Sequence, residues 1–152
     1  MTDTFSRDSE ARFRGEPAII KDRLKVYEPF LKALTTQGKS LGLDLGCGRG
    51  EWLQILSEAG LEASGVDLDD GMLDVARANG LAVDKKDALE ALRETPDGSL
   101  AVISAFNLIE YLPFEVLTTL VVEARRALRP GGIIIHETPN PRSPVVGFTN
   151  FH

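Results

Sequence analysis

Cysteine is almost absent: Cys47 is the only one in 152 residues, which excludes an internal disulfide and a cysteine-based metal cluster. Histidine is nearly as scarce, with only His136 and His152, and no metal site is expected. No apolar run approaches the ~20 residues that a bilayer span requires, so no transmembrane segment is expected. The opening Met1-Thr-Asp-Thr-Phe-Ser-Arg-Asp8 lacks the apolar stretch of a secretory signal. These absences together predict a cytoplasmic protein. Repeats and low-complexity tracts are missing as well. Positive charge is in deficit, 17 Lys and Arg against 23 Asp and Glu. The deficit is uneven: residues 1–40 carry eight basic against six acidic side chains, residues 41–152 nine against seventeen. An acidic body lacks the phosphate attraction on which nucleic-acid binding rests, so no nucleic-acid partner is expected.

What is present is concentrated in one stretch, Leu41-Gly-Leu-Asp-Leu-Gly-Cys-Gly-Arg-Gly-Glu51. A buried-strand pattern runs into three glycines at alternate positions and then turns amphipathic. Glycines of this kind let a backbone bend tightly and approach a ligand, and the helix that follows aims unpaired N–H groups at the same loop. An ordinary tight turn would use the same residues, so the loop alone does not decide. Asp67, in Glu62-Ala-Ser-Gly-Val-Asp-Leu68, lies seventeen positions after Gly50. A carboxylate at the end of the second strand of a βαβ unit is where a ribose diol finds its acceptor. The competing reading makes Asp67 the cap of a helix starting near residue 69 or 70.

The length suits one domain with a sizeable core. Residues 1–15 are polar and read as a frayed or adaptable lead. Residues 17–34 carry Ile20, Leu24, Tyr27, Leu31 and Leu34 at helical spacing, and Pro29 should kink or divide that helix. Residues 1–38 form a helical arm and 39–152 the ligand-binding domain. Within it, strands are predicted at 40–45, 62–66, 81–83, 99–105 and 133–138. Helices are predicted at 51–59, 69–78, 88–93 and 113–128, with Arg129-Pro-Gly-Gly132 breaking the last from the final strand. Apolar strands separated by helices mean an α/β fold, a parallel sheet covered on both faces. Ligands on such sheets bind at the carboxyl ends of the strands, where the glycine loop, Asp67 and Asp87 fall.

The loop reads G-x-G-x-G and is followed by Glu51, whereas the dinucleotide fingerprint wants G-x-G-x-x-G/A with a small residue closing the turn. Asp44, Glu51, Asp67 and Asp87 predict an acidic rim, which suits a cationic ligand better than a pyrophosphate. A P-loop is excluded because no Gly-Lys-Ser/Thr follows the glycines. Cys47 has no histidine that can be placed beside it and reads as a small loop residue rather than a nucleophile. Trp52 reads as helix packing, Lys85-Lys86 as a solvated pair and His136 as structural.

Asp44-Leu-Gly-Cys-Gly-Arg-Gly50, Gly65-Val-Asp-Leu68, Asp87-Ala88, residues 106–113 and Leu128-Arg-Pro-Gly-Gly132 resemble, in order and spacing, the class I S-adenosylmethionine-dependent methyltransferases. The resemblance implies a Rossmann-like sheet and S-adenosylmethionine as cofactor. It implies that Asp44 belongs to the cofactor site and that Gly46, Cys47 and Gly48 line the methionine part. Asp67 would hold the ribose hydroxyls, with Leu68 and Met72 against the adenine. Asp87 would meet the adenine amino group, with Ala88 beside it, and Phe106 would border the methyl-transfer side.

A narrower likeness joins residues 11–31, 137–141 and 145–151 to a subgroup that includes the methyltransferase domain of the O-antigen chain-terminating methyltransferase/kinases. It implies O-methylation of a saccharide or phosphate. The subgroup carries two histidines where this chain has Asn107 and Tyr111. A hydroxyl acceptor then needs another base, for which Glu110 and Tyr111 are candidates. The family's sheet also has two strands beyond the five found here, so the last strand is expected to be an edge open to self-association. A cofactor-binding module without activity is the alternative from another class, and a dehydrogenase a distant third.

Overall fold

Pro29 divides the N-terminal helix as its missing N–H requires. The first piece, α1 (Pro17–Leu24), runs into a 3-10 turn over Lys25–Tyr27, and α2 (Glu28–Thr35) restarts with the proline at its second residue. The computed structural model describes residues 16–36, 38–140 and 142. The polar lead at 1–15, the segment 145–151 and the proline at 141 lie outside the described residues. Leu24, Leu31 and Leu34 are buried in the same apolar cluster as Trp52 and Leu53. Leu34 also carries the arm's anchor, since its carbonyl accepts from Ser40 Oγ at 2.8 Å and from Arg129 Nη2 at 2.7 Å. These donors satisfy an end-of-helix carbonyl that has no partner within the helix.

Strand and helix then alternate: β1 (Leu41–Leu45), α3 (Glu51–Glu58), β2 (Glu62–Asp67), α4 (Asp70–Ala78), β3 (Ala82–Lys85), α5 (Ala88–Glu94), β4 (Leu100–Phe106), a 3-10 turn over Ile109–Tyr111, α6 (Phe114–Ala127) and β5 (Leu128–Glu137). The five strands form one parallel sheet in the order β3-β2-β1-β4-β5. Both faces are covered. Trp52, Ile55, Leu56, Val102 and Ile135 belong to one core, and Leu45, Leu92, Ile103, Leu120 and Ala124 to the other. That is why Leu100–Phe106 is apolar almost throughout rather than alternating. The chain leaves β1 in one direction for β2 and β3 and returns on its other side as β4. The switch point, where open α/β sheets hold their ligands, therefore lies between β1 and β4.

The sequence pattern misplaces one boundary by more than two residues. Residues 129–132 do not separate helix from strand, because β5 already begins at Leu128. Leu128 pairs with Leu100 and Ile133 with Val102, so Arg129–Gly132 bulge out between two in-register pairs. A Pro-Gly-Gly run cannot continue a helix, but a bulge accommodates it inside a strand. Among the described residues β5 pairs with β4 alone, and Ile134 is 38% exposed.

His136, in β5, is half-buried, and neither ring nitrogen has a hydrogen-bond partner. Burial lowers its pKa from the ordinary 6.5, so the folded chain prefers the neutral ring. The stability this contributes is present above 6.5 and is lost as pH falls through the lower folded value. His136→Leu should therefore flatten the stability profile as pH falls below about 6.5, without loss at neutral pH. Urea unfolding of both proteins across that range checks this, and parallel profiles would exclude His136 as the cause.

Candidate functional site

The turn from β1 to α3 is built on β2. Gly46 N and Cys47 N both donate to Val66 O, at 2.8 and 3.0 Å, and Gly50 N closes the loop on Cys47 O at 3.0 Å. Gly50 has φ +86°, which favours glycine, and a Cβ there would lie 2.3 Å from Leu81 Cδ1, which would have to swing aside. Gly65 in β2 serves differently. Its φ is ordinary, but an added Cβ would meet Cys47 Cβ at 2.6 Å, Cys47 Sγ at 2.8 Å and Leu53 Cδ1 at 2.9 Å. The loop is thus seated directly on a strand that has no side chain at that point.

Asp67, the last residue of β2, faces this loop. Its Oδ2 accepts from Gly48 N at 2.8 Å and its Oδ1 from Asp69 N at 2.9 Å. It is not the cap of α4, because that role falls to Asp69, whose carboxylate accepts from Met72 N at 3.0 Å. A carboxylate offers about four acceptor positions. Two are used here by backbone amides, which orient the group and leave one on each oxygen. Lys86 N donates to Asp67 O at 3.2 Å, so the segment leading to Asp87 joins the same corner. Leu68, immediately after Asp67, is apolar and 63% exposed, with the half-buried Met72 one turn further on. Asp87 caps α5, accepting from Leu89 N at 2.9 Å and Glu90 N at 3.2 Å, and Ala88 opens that helix half-buried.

The rim is less acidic than the sequence suggests. Asp44 is only 2% exposed, beneath the loop in β1, and accepts from Ser104 Oγ at 2.7 Å. Glu51 accepts from Arg49 Nε at 2.7 Å, a pair with little exposure on either side. Burial raises the Cys47 thiol far above the ordinary range, and the carboxylates of Asp44 and Asp67 reinforce the shift. The thiol is therefore not a nucleophile at neutral pH. Lys85 and Lys86 lie at the surface as the sequence suggests, where they meet the exposed carboxylates of Asp70 and Glu94.

The segment after β4 closes the other side. Leu108 reaches over Gly46, its Cδ1 3.5 Å from where a Cβ would stand. Phe106 ends β4 with its ring centroid 5.1 Å from that of Trp52. Trp52 is 2% exposed and packs as the sequence suggests. Glu110 and Tyr111, on the 3-10 turn, are exposed. Asn107 takes φ +52°, a left-handed conformation that asparagine tolerates, and its backbone N–H donates to Glu137 O at 2.8 Å. Gly65, Ser104 and Glu137 are contributors that residue spacing alone does not reveal, because each acts through a neighbour distant in sequence: Gly65 under Cys47, Ser104 on Asp44, and Glu137 on Asn107.

A family model described as a methyltransferase domain matches residues 43–132. The chain is 30% identical over 116 residues to a ubiquinone biosynthesis O-methyltransferase of Methylococcus capsulatus, covering 73% of this chain and 48% of that one. It is 31% identical over 144 residues to the protein of the same name from Bordetella avium, covering 90% and 57%. The crystal structure of a SAM dependent methyltransferase from Archaeoglobus fulgidus superposes with a TM-score of 0.83 at 33% identity, covering 95% of this chain and 62% of that chain. The chain thus spans about half the length of the curated relatives it matches.

Proposed function

This chain belongs to the S-adenosylmethionine-dependent methyltransferases, and we propose that it transfers the cofactor's methyl group to an oxygen of a small-molecule or saccharide acceptor. The observation that carries this is Asp67. Its carboxylate stands at the end of β2, held by two backbone amides, with acceptor capacity left on each oxygen and the exposed Leu68 beside it. A carboxylate for a diol next to an apolar surface for a flat base is a donor set that fits a ribosyl adenine. In this reading Gly46, Cys47 and Gly48 line the methionine part, Leu68 and Met72 cover the adenine, and Asp87 with Ala88 borders it. Phe106 faces the methyl-transfer side. The bound cofactor supplies an activated methyl on a sulfonium. This chain's residues align it with an acceptor and exclude water, which is where most of the acceleration in such displacements arises.

The relatives' name supports oxygen as the accepting atom. The narrower resemblance at 137–141 favours a saccharide over other hydroxyls, and a sugar hydroxyl, unlike a phosphate, needs a base. Titrating the purified chain with S-adenosylmethionine and with NAD checks the cofactor. Saturable binding of the first and none of the second is expected, followed by methyl transfer to a hydroxyl compound. Binding of NAD alone would replace this reading with a dehydrogenase. Binding of S-adenosylmethionine without turnover on any acceptor would make the chain a binding module.

A further inference from the structure

Glu137 is the last residue of β5 and the register partner of Phe106. Its side chain is held. Oε2 accepts from the hydroxyl of Tyr27 at 2.8 Å, and Arg23 Nη2 stands 3.7 Å from Oε1. Tyr27 lies on the 3-10 turn that Pro29 enforces between α1 and α2, and its ring meets Trp52 and Phe106 at centroid distances of 5.9 and 5.8 Å. The arm therefore brings a phenol to the carboxyl ends of β4 and β5 and fixes a carboxylate there. Burial raises the Tyr27 pKa, with the hydrogen bond to Glu137 and the charge of that carboxylate reinforcing it. The phenol thus stays protonated and keeps donating. By contrast Glu110 and Tyr111 are exposed, Tyr111 at 67%, and neither shows a side-chain hydrogen bond that would fix it.

We propose that Glu137, oriented by Tyr27, is the base that takes the proton from a hydroxyl acceptor seated beside Phe106. This rests on the methyl-transfer reading above and narrows its acceptor to an un-ionised hydroxyl, of a sugar or of a phenol, rather than a phosphate. In the step, the acceptor oxygen bonds to the methyl carbon as its O–H bond breaks. The carbon–sulfur bond breaks with its electron pair going to sulfur, cancelling the sulfonium charge, and the proton passes to a carboxylate oxygen of Glu137. Tyr27 is a positioning residue: it occupies Oε2 and leaves Oε1, which stands 3.7 Å from Arg23 Nη2, as the oxygen that takes the proton. A phosphate acceptor is disfavoured, because it would approach a carboxylate while Arg23 is engaged by Glu137 and Arg49 by Glu51.

Glu137→Gln is the informative variant, since the amide oxygen still accepts from Tyr27 but cannot act as a base. Wild type, Glu137→Gln, Glu137→Ala and Tyr27→Phe would be compared in S-adenosylhomocysteine affinity, thermal midpoint and methyl transfer to catechol, methyl glucoside and phenyl phosphate. Glu137→Gln should keep cofactor affinity within about two-fold and the thermal midpoint unchanged, while kcat on the hydroxyl probe falls roughly a hundred-fold or more at similar KM. The ultraviolet titration of tyrosinate should show the higher of the two phenol transitions shifting down in Glu137→Gln. Near-normal turnover in Glu137→Gln, with stability lost in Glu137→Ala and Tyr27→Phe, would reduce the pair to a latch for the arm. Preferred transfer to phenyl phosphate, or a wild type that binds S-adenosylhomocysteine but transfers to neither hydroxyl probe, would also overturn the proposal while leaving the cofactor site standing. A wild type that does not bind S-adenosylhomocysteine would overturn the methyl-transfer reading itself.

Discussion

Asp67→Ala is expected to weaken S-adenosylhomocysteine binding by roughly thirty-fold or more, because charge-assisted hydrogen bonds to a diol are together worth on the order of 2–4 kcal/mol. The same substitution leaves Gly48 N and Asp69 N without their acceptor, so part of the loss comes from a loosened glycine loop. Asp67→Glu separates the two contributions. It retains the charge but advances it by one methylene into space that the ligand needs. It should therefore preserve the fold better than alanine does while still costing affinity. Calorimetric titration combined with thermal unfolding reads both quantities. An unchanged dissociation constant in a folded Asp67→Ala protein would remove Asp67 from the cofactor site.

Gly65→Ala is expected to lower stability and cofactor affinity together. Its Cβ would stand 2.6 Å from Cys47 Cβ and 2.9 Å from Leu53 Cδ1. Both neighbours are almost fully buried, at 6% and 1% exposed. Overpacking of this kind costs about 1–3 kcal/mol, and each kcal/mol lowers Tm by roughly 2–4 °C in a domain of this size. The side chain most able to yield is Cys47, which carries the glycine loop with it, so cofactor affinity should fall together with stability. Removing the obstructing atoms with Cys47→Gly in the Gly65→Ala background should recover part of the lost stability. If Gly65→Ala unfolds at the wild-type temperature and binds S-adenosylhomocysteine normally, the loop is not seated on β2 as described.

Several features were legible in the residues themselves because each depends on neighbours close in sequence. The helix break at Pro29 follows from a missing N–H within a few positions. The apolar run of Leu100–Phe106 announces a strand covered on both faces. Gly50 follows from a left-handed turn and Asp67 from its distance to that turn. The misplaced boundary at 128–133 has an equally local cause. Proline and two glycines read as a stop, and only the pairing of Leu128 and Ile133 with β4 shows a bulge in one continuous strand. The acidic rim erred for the same reason, since carboxylates can be counted along a chain but their partners cannot. Ser104 reaches Asp44 across sixty positions because β1 and β4 are neighbours in the sheet.

By itself, then, the sequence determined the parallel sheet, its helical layers and the corner where the glycine loop meets Asp67. Those follow from periodicity, backbone conformation and fixed spacing within one βαβ unit. The tertiary structure alone decided what that corner rests on and what faces it. It put Gly65 under Cys47 and tied Arg49 to Glu51. It also carried Tyr27 of the arm across 110 positions to Glu137 at the end of β5. The strand order brings the ends of β4 and β5 together and the arm folds back over them. That juxtaposition depends on where the helices pack, and no short-range pattern encodes it.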